Sequence, residues 1–203
     1  MNVNKTTALH APMAQGRRRW MLAAGAYLIL AAPVIAQAHN VGIVKPKIAI
    51  PGDLPVVRSD GARLSLRELL RGRRTLLQLM FTGCGETCPL QGALFAAVRG
   101  RFAAAVDGKN QLLSLSIDPM DDPATLSTWL RQFGAGQGWI AAVPSARGIE
   151  VMRTSLQSGA DTASAHPSQV FFIDESEQLI WRTEDFPSTE IVIGIGKRNR
   201  WIS

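Results

Sequence analysis

The chain holds two cysteines, Cys84 and Cys88, in the segment Phe81-Thr82-Gly83-Cys84-Gly85-Glu86-Thr87-Cys88-Pro89. Cysteines four apart fall on consecutive turns of a helix, and they also stay close in a loop that feeds one. Both sulfurs can therefore face one point. At a helix N-terminus the unpaired N–H groups and the helix dipole favour thiolate over thiol. Thiolate is the nucleophile of disulfide exchange and a preferred ligand for Cu(I). The spacing suits either chemistry and does not choose between them.

The elements around the pair must hold it still. Thr75 to Phe81 is an almost continuous apolar run, suited to a strand buried on both faces. Beyond the cysteines, Leu90, Ala93, Leu94, Ala97, Val98 and Phe102 recur at helical spacing. Pro89 fits the first turn of that helix, where its missing N–H costs nothing. Gln111 to Ile117 is the next strand, and strand, helix, strand over this length implies a right-handed crossover between parallel strands. Upstream, Leu54 to Arg58 and Ala62 to Leu66 flank the turn Ser59-Asp60-Gly61 as a hairpin, followed by a short helical piece to Arg71. Downstream, Asp122 as N-cap and Pro123 as first residue open a helix to Phe133. Trp139 to Val143 reads as a strand, Ser145 to Leu156 as a helix and Gln157 to Ala165 as a loop. Val170 to Ile173 and Leu179 to Thr183 close the chain as a hairpin. The expected fold class is α/β: a mixed sheet flanked by helices in one domain, spanning residues 54–186. Residues 39–53, broken by Pro46 and Pro51, are expected to be a leader, and residues 187–203 a C-terminal tail.

The first 38 residues read as an export signal. Arg17-Arg18-Arg19 form a basic flank, Trp20 to Ile35 is apolar apart from Gly25 and Pro33, and Ala36-Gln37-Ala38 offers a cleavage site. The alternative is an uncleaved membrane anchor through residues 20–36, and the arginines also admit a twin-arginine route. The formal net charge of +6 is concentrated here: residues 1–38 hold four basic groups and no acid, leaving 18 against 16 in the rest. That balance argues against nucleic acid as a partner. Outside the cytoplasm a close cysteine pair can persist as a disulfide, so a pair used as thiols there needs a reductant or a metal.

Past residue 38 the chain has two histidines, His39 and His166. His166 opens His166-Pro167-Ser168-Gln169-Val170-Phe171-Phe172-Ile173-Asp174, directly before the first strand of the closing hairpin. In a sheet arranged as in thioredoxin, the start of that strand lies beside the cysteine loop. Two thiolates and one imidazole make a compact set that suits copper in either oxidation state better than a hard ion. Structural zinc takes four ligands, and no fourth is evident.

Gly83-Cys84-Gly85-Glu86-Thr87-Cys88-Pro89 after an apolar strand resembles the cysteine motif of the Sco/SenC copper proteins. Leu115-Ser116-Ile117-Asp118-Pro119 with Asp121-Asp122-Pro123 resembles a second block of that family, and the single His before a strand ending in Ile173-Asp174 a third. The blocks come in the family's order and cover about residues 50 to 185. The resemblance implies a thioredoxin-like fold and copper held by Cys84, Cys88 and His166. It also implies work on a copper site of a respiratory oxidase, with the copper-accepting oxidase subunit or another apo copper protein as partner, and places Asp118 in support of the site. The sequence departs from the family in the short stretch between Trp139 and His166, in Pro167, and in Gly194 and Gly196, where the family tends to close with a helix.

Competing readings accompany each residue. The same cysteines serve a thiol–disulfide oxidoreductase acting on a copper protein, with a thiol reductant protein as partner and no need of His166. A thiol peroxidase or a structural disulfide would also use the pair, although a bridge this short closes little chain entropy. His39 becomes the amino-terminal residue if cleavage follows Ala38, and could then chelate copper. Met80 and Met120 are soft donors whose plainer roles are packing and surface. The acidic run Asp118 to Asp122 is explained by capping. Trp129, Trp139 and Trp181 read as core and rim, and Arg71-Gly72-Arg73-Arg74 as a solvated turn. A cis His166-Pro167 bond would favour the redox reading.

Overall fold

A computed structural model describes residues 48–103, 107–157 and 168–203. The expected signal, the first part of the leader, His39, His166 and Pro167 lie outside these residues. Among the described residues no helix is long and apolar enough to cross a membrane.

Among the described residues, eight strands form one mixed sheet in the order β1-β8-β7-β4-β5-β6-β2-β3. The centre is β4 (Arg74–Met80) and β5 (Asn110–Ser116), parallel over seven residue pairs and wholly buried. β6 (Trp139–Pro144) continues the parallel set, and β7 (Val170–Ile173) runs antiparallel on the other side of β4. The outer strands are the hairpin partner β8 (Gln178–Arg182), and β2 (Pro55–Arg58) with β3 (Arg63–Ser65). Successive side chains of a strand point to opposite faces, so each central strand feeds two cores. Leu76, Met80, Leu112 and Phe172 pack under α2 (Thr87–Ala103), α3 (Pro123–Gln132) and α5 (Thr189–Arg198). Leu77, Leu79, Leu113, Phe171 and Ile173 pack with α1 (Leu66–Leu70) and α4 (Ala146–Gln157). Both cysteines belong to the first core.

Local chemistry explains the elements that were legible. α3 starts where expected: the Asp122 carboxylate accepts the Thr125 N–H at 2.8 Å, and Thr125 Oγ1 accepts the Asp122 N–H at 2.9 Å. The Thr125 N–H and the Thr125 hydroxyl, which donates to the same carboxylate at 3.1 Å, hold the Asp122 carboxyl below its usual range. Ser65 and Glu68 make the same reciprocal cap on α1.

Three expectations change. The leader contains an edge strand, β1 (Ile48–Ala49), paired antiparallel with β8, and Ile50 is buried. Residues 187–203 carry α5 instead of a loose tail, and Val192, Ile195 and Trp201 are core residues. Ser188 caps α5 by accepting the Ile191 N–H, Glu190 lies in its first turn, and Lys197 and Arg198 lie in its last, matching the helix dipole. Gly196 reflects close packing, since a Cβ there would meet the Phe102 ring at 3.0 Å and Ile202 at 3.2 Å. Finally, Arg74 is no solvated turn residue. It is buried, pairs with Asp107 and Glu175, and donates to the Arg200 carbonyl at 3.1 Å.

Candidate metal centre

β4 delivers the chain to the surface at the carboxyl ends of the parallel strands, where α/β sheets present their functional groups. After Met80 the backbone turns, with the Cys84 N–H donating to the Phe81 carbonyl at 3.2 Å. α2 begins at Thr87, so Cys88 sits in its first turn with Pro89 beside it. The first N–H groups of a helix lack partners within it. Here the Cys88 N–H donates to Cys84 Sγ at 3.5 Å, and that bond seats one cysteine over the other.

The sulfurs are not joined in a disulfide, and both are buried, Cys84 at 8% exposure and Cys88 at 0%. Gly83, Gly85 and Glu86 around them are exposed, so the pair lies just beneath the surface. Burial pushes the Cys88 thiol up to about 12, and the neighbouring Cys84 adds to the rise. The Phe81 backbone and the Thr87 hydroxyl oppose it weakly. This reverses the expectation that a helix N-terminus favours thiolate: desolvation outweighs the dipole. In the metal-free protein Cys88 is a protonated thiol at neutral pH.

Two polar links, absent from the sequence reading, tie this loop to its surroundings. Gln91, one turn beyond Cys88 and fully buried, donates through Nε2 to the Gln169 carbonyl at 3.3 Å. It thereby fastens the cysteine helix to the residue that precedes β7. The Oε1 atoms of Gln91 and Gln169 are buried and have no partner among the described residues. On the other side, the buried Asp121 accepts three hydrogen bonds. They come from the Thr82 N–H at 3.0 Å, the Thr82 hydroxyl at 2.5 Å and the Ser116 hydroxyl at 2.6 Å. Asp118, the acid singled out by the resemblance, instead accepts the Met120 N–H at 2.9 Å. The one sequence signal for Asp121 was an acid left over once Asp122 had been explained as a cap, at the carboxyl end of a buried strand.

The remaining candidates fall on the plainer side. Met80 is fully buried in the core and Met120 is 84% exposed. Trp129 and Trp139 meet edge to face at 5.9 Å, while Arg198 lies over Trp181 at the rim. Among the described residues no group of three or more His, Cys, Asp or Glu side chains gathers as a metal site.

The SCO1/SenC family model matches residues 47–195. No curated protein matches. Among solved structures, a SCO1/SenC family lipoprotein from Bacillus anthracis aligns with TM-score 0.63 and 21% identity, covering 76% of this chain and 98% of that one. Arabidopsis thaliana ScoI with copper bound aligns with TM-score 0.62 and 19% identity, over 75% and 99% of the two chains. BsSco, described through a disulfide switch, aligns with TM-score 0.62 and 19% identity, over 80% and 96%. The shared architecture is the thioredoxin-like one: the central mixed sheet with helices on both faces.

Proposed function

Given that the chain belongs to the SCO1/SenC family, we propose that it is a copper chaperone, which carries copper as cargo to a copper site under assembly in a respiratory oxidase. The observation that carries this reading is the pair of buried thiols, Cys84 and Cys88, held together by a backbone N–H···S bond and not closed as a disulfide. Two soft donors in a shielded loop suit Cu(I) and offer little to a hard ion. Copper is bound in the solved structure of ScoI from Arabidopsis thaliana. BsSco is described as a member of the Sco family of cytochrome c oxidase assembly proteins.

His166 is the proposed third ligand. It lies three residues before Gln169, whose carbonyl is fastened to the cysteine helix, and three residues of chain reach at most about 10 Å. The Oε1 atoms of Gln91 and Gln169 are buried with no donor among the described residues, and an imidazole N–H is a donor of the kind they accept. Binding displaces the Cys88 proton, and release to an acceptor's thiolates returns one to the sulfur. No electron moves in that exchange. The export reading of residues 1–38 fits this role, and a lipoprotein among the relatives supports work at a membrane face outside the cytoplasm.

A second reading, a thiol–disulfide oxidoreductase acting on a copper protein, draws on the closeness of the two sulfurs. One experiment separates the two. Reduced protein is titrated with Cu(I) against a competing chelator, alongside Cys84→Ser and His166→Ala. One copper per chain, lost in Cys84→Ser and weakened in His166→Ala, is the expected result. Binding that survives Cys84→Ser refutes the site. Absence of binding in the unsubstituted protein leaves the oxidoreductase.

A further inference from the structure

We infer that Asp121 is a positioning residue for Cys84, acting through Thr82. The inference deepens the copper reading and rests on it for one of its two readouts only.

Thr82 is separated from Cys84 by Gly83 alone, so the placement of its backbone largely sets that of Cys84. Asp121 grips Thr82 twice, through its N–H at 3.0 Å and its hydroxyl at 2.5 Å. The carboxylate is itself held from the sheet: Ser116, the last residue of β5, donates its hydroxyl at 2.6 Å, and Asp121's own N–H donates to the Asp118 carbonyl at 3.1 Å. The β5–α3 loop thereby reaches across the sheet and pins the start of the cysteine loop. At its other end the loop is pinned by the Cys88 N–H on Cys84 Sγ. Between these points the loop has exposed glycines at 83 and 85, which impose little stiffness of their own. Without the carboxylate, Cys84 would keep its bonds to the Phe81 carbonyl and the Cys88 N–H, but the start of its loop would lose the tie to β5.

An acid that merely stabilised the β5–α3 loop would need no bond to Thr82. The loop has its own ties without Thr82: the Ser116 hydroxyl receives the Asp118 N–H at 3.1 Å, and Asp122 caps α3. Two of the three side-chain bonds on Asp121 go instead to the chain that leads to the cysteines.

The test compares Thr82→Val, Thr82→Ser and Asp121→Asn with the unsubstituted protein. The first readout is Cu(I) affinity against a chelator. The second, independent of copper, is the equilibrium of the Cys84/Cys88 dithiol with its disulfide in a glutathione buffer. Thr82→Val alters a half-buried loop residue and Thr82→Ser keeps both bonds, so folding is preserved in at least these two. Thr82→Val and Asp121→Asn are expected to weaken Cu(I) binding about tenfold, the lower end for groups that orient a metal ligand, with Thr82→Ser restoring it. In the same two variants the pair should oxidise about threefold less readily, because a loosened loop lowers the effective concentration of one thiol at the other. If both readouts stay unchanged in Thr82→Val while only the melting temperature falls, the inference is overturned. If the unsubstituted protein binds no copper, the copper reading fails alone and the glutathione equilibrium still decides the role of Asp121.

Discussion

Burial of Cys88 makes the metal-free, reduced protein sensitive to alkali in a way that one substitution should remove. The thiol is raised from its ordinary 9.0 to about 12, chiefly because its anion would be desolvated. The unfolded chain therefore gives up this proton near pH 9 while the folded chain keeps it. Across that window the unfolded state binds fewer protons, so stability is fully present below pH 9 and falls as pH rises. The slope approaches about 1.4 kcal/mol per pH unit, which removes about 2 kcal/mol by about pH 10.5 and about 4 kcal/mol once the folded thiol also ionises. Lys and Tyr titrate in the same range, so the quantity to measure is the difference between two proteins. Urea melts of reduced protein and of Cys88→Ser, followed by tryptophan fluorescence at about pH 8, 9 and 10.5, give that difference. The serine variant should lose less stability than its parent over this range, by about 2 kcal/mol at the highest pH. Parallel losses in the two proteins would refute the claim that desolvation dominates at Cys88, and would restore the helix N-terminus as the controlling influence.

Two further outcomes test the fold around the site. Trp201 is 4% exposed and packs in a tilted arrangement on Phe172 with ring centroids 5.4 Å apart, so Trp201→Ala should cost about 3–5 kcal/mol in denaturant melts. A loss of a few tenths would mean that the C-terminal segment is dispensable after all. In α5, nothing lies within 4 Å of a Cβ at Gly194, whereas one at Gly196 meets Phe102 and Ile202. Gly194→Ala should therefore stabilise by about 0.5–1 kcal/mol, with Gly196→Ala clearly less favourable. Equal effects on the melting temperature would refute close packing at Gly196.

What the sequence determined by itself is what short-range chemistry controls. The apolar run of β4, the Asp122–Pro123 start of α3 and the existence of α2 are each legible within one window, because composition, capping and spacing are local signals. The cysteine motif was legible for the same reason: four residues of spacing bring both sulfurs to one strand-to-helix junction. The buried face of α2 was not legible, since Leu90, Ala93 and Ala97 are exposed and Phe95 is fully buried. The tertiary structure decided whatever depends on distant chain. Ile48 and Ala49 become a strand only because β8, far along the sequence, leaves an edge to pair with. Gly194 and Gly196 argue locally against a helix, yet α5 forms because Val192 and Ile195 bury in the core and Gly196 lets the helix backbone pack closely on Phe102 and Ile202. Asp121 looks like one acid among three until β4 and β5 are set side by side and Thr82 comes within reach of it. Cys88 shows the contrast most plainly. Its place in the first turn of a helix, which sequence supplies, favours the thiolate, while the core that closes over it favours the thiol. Burial prevails because removing water from an anion costs more than the end of one helix returns.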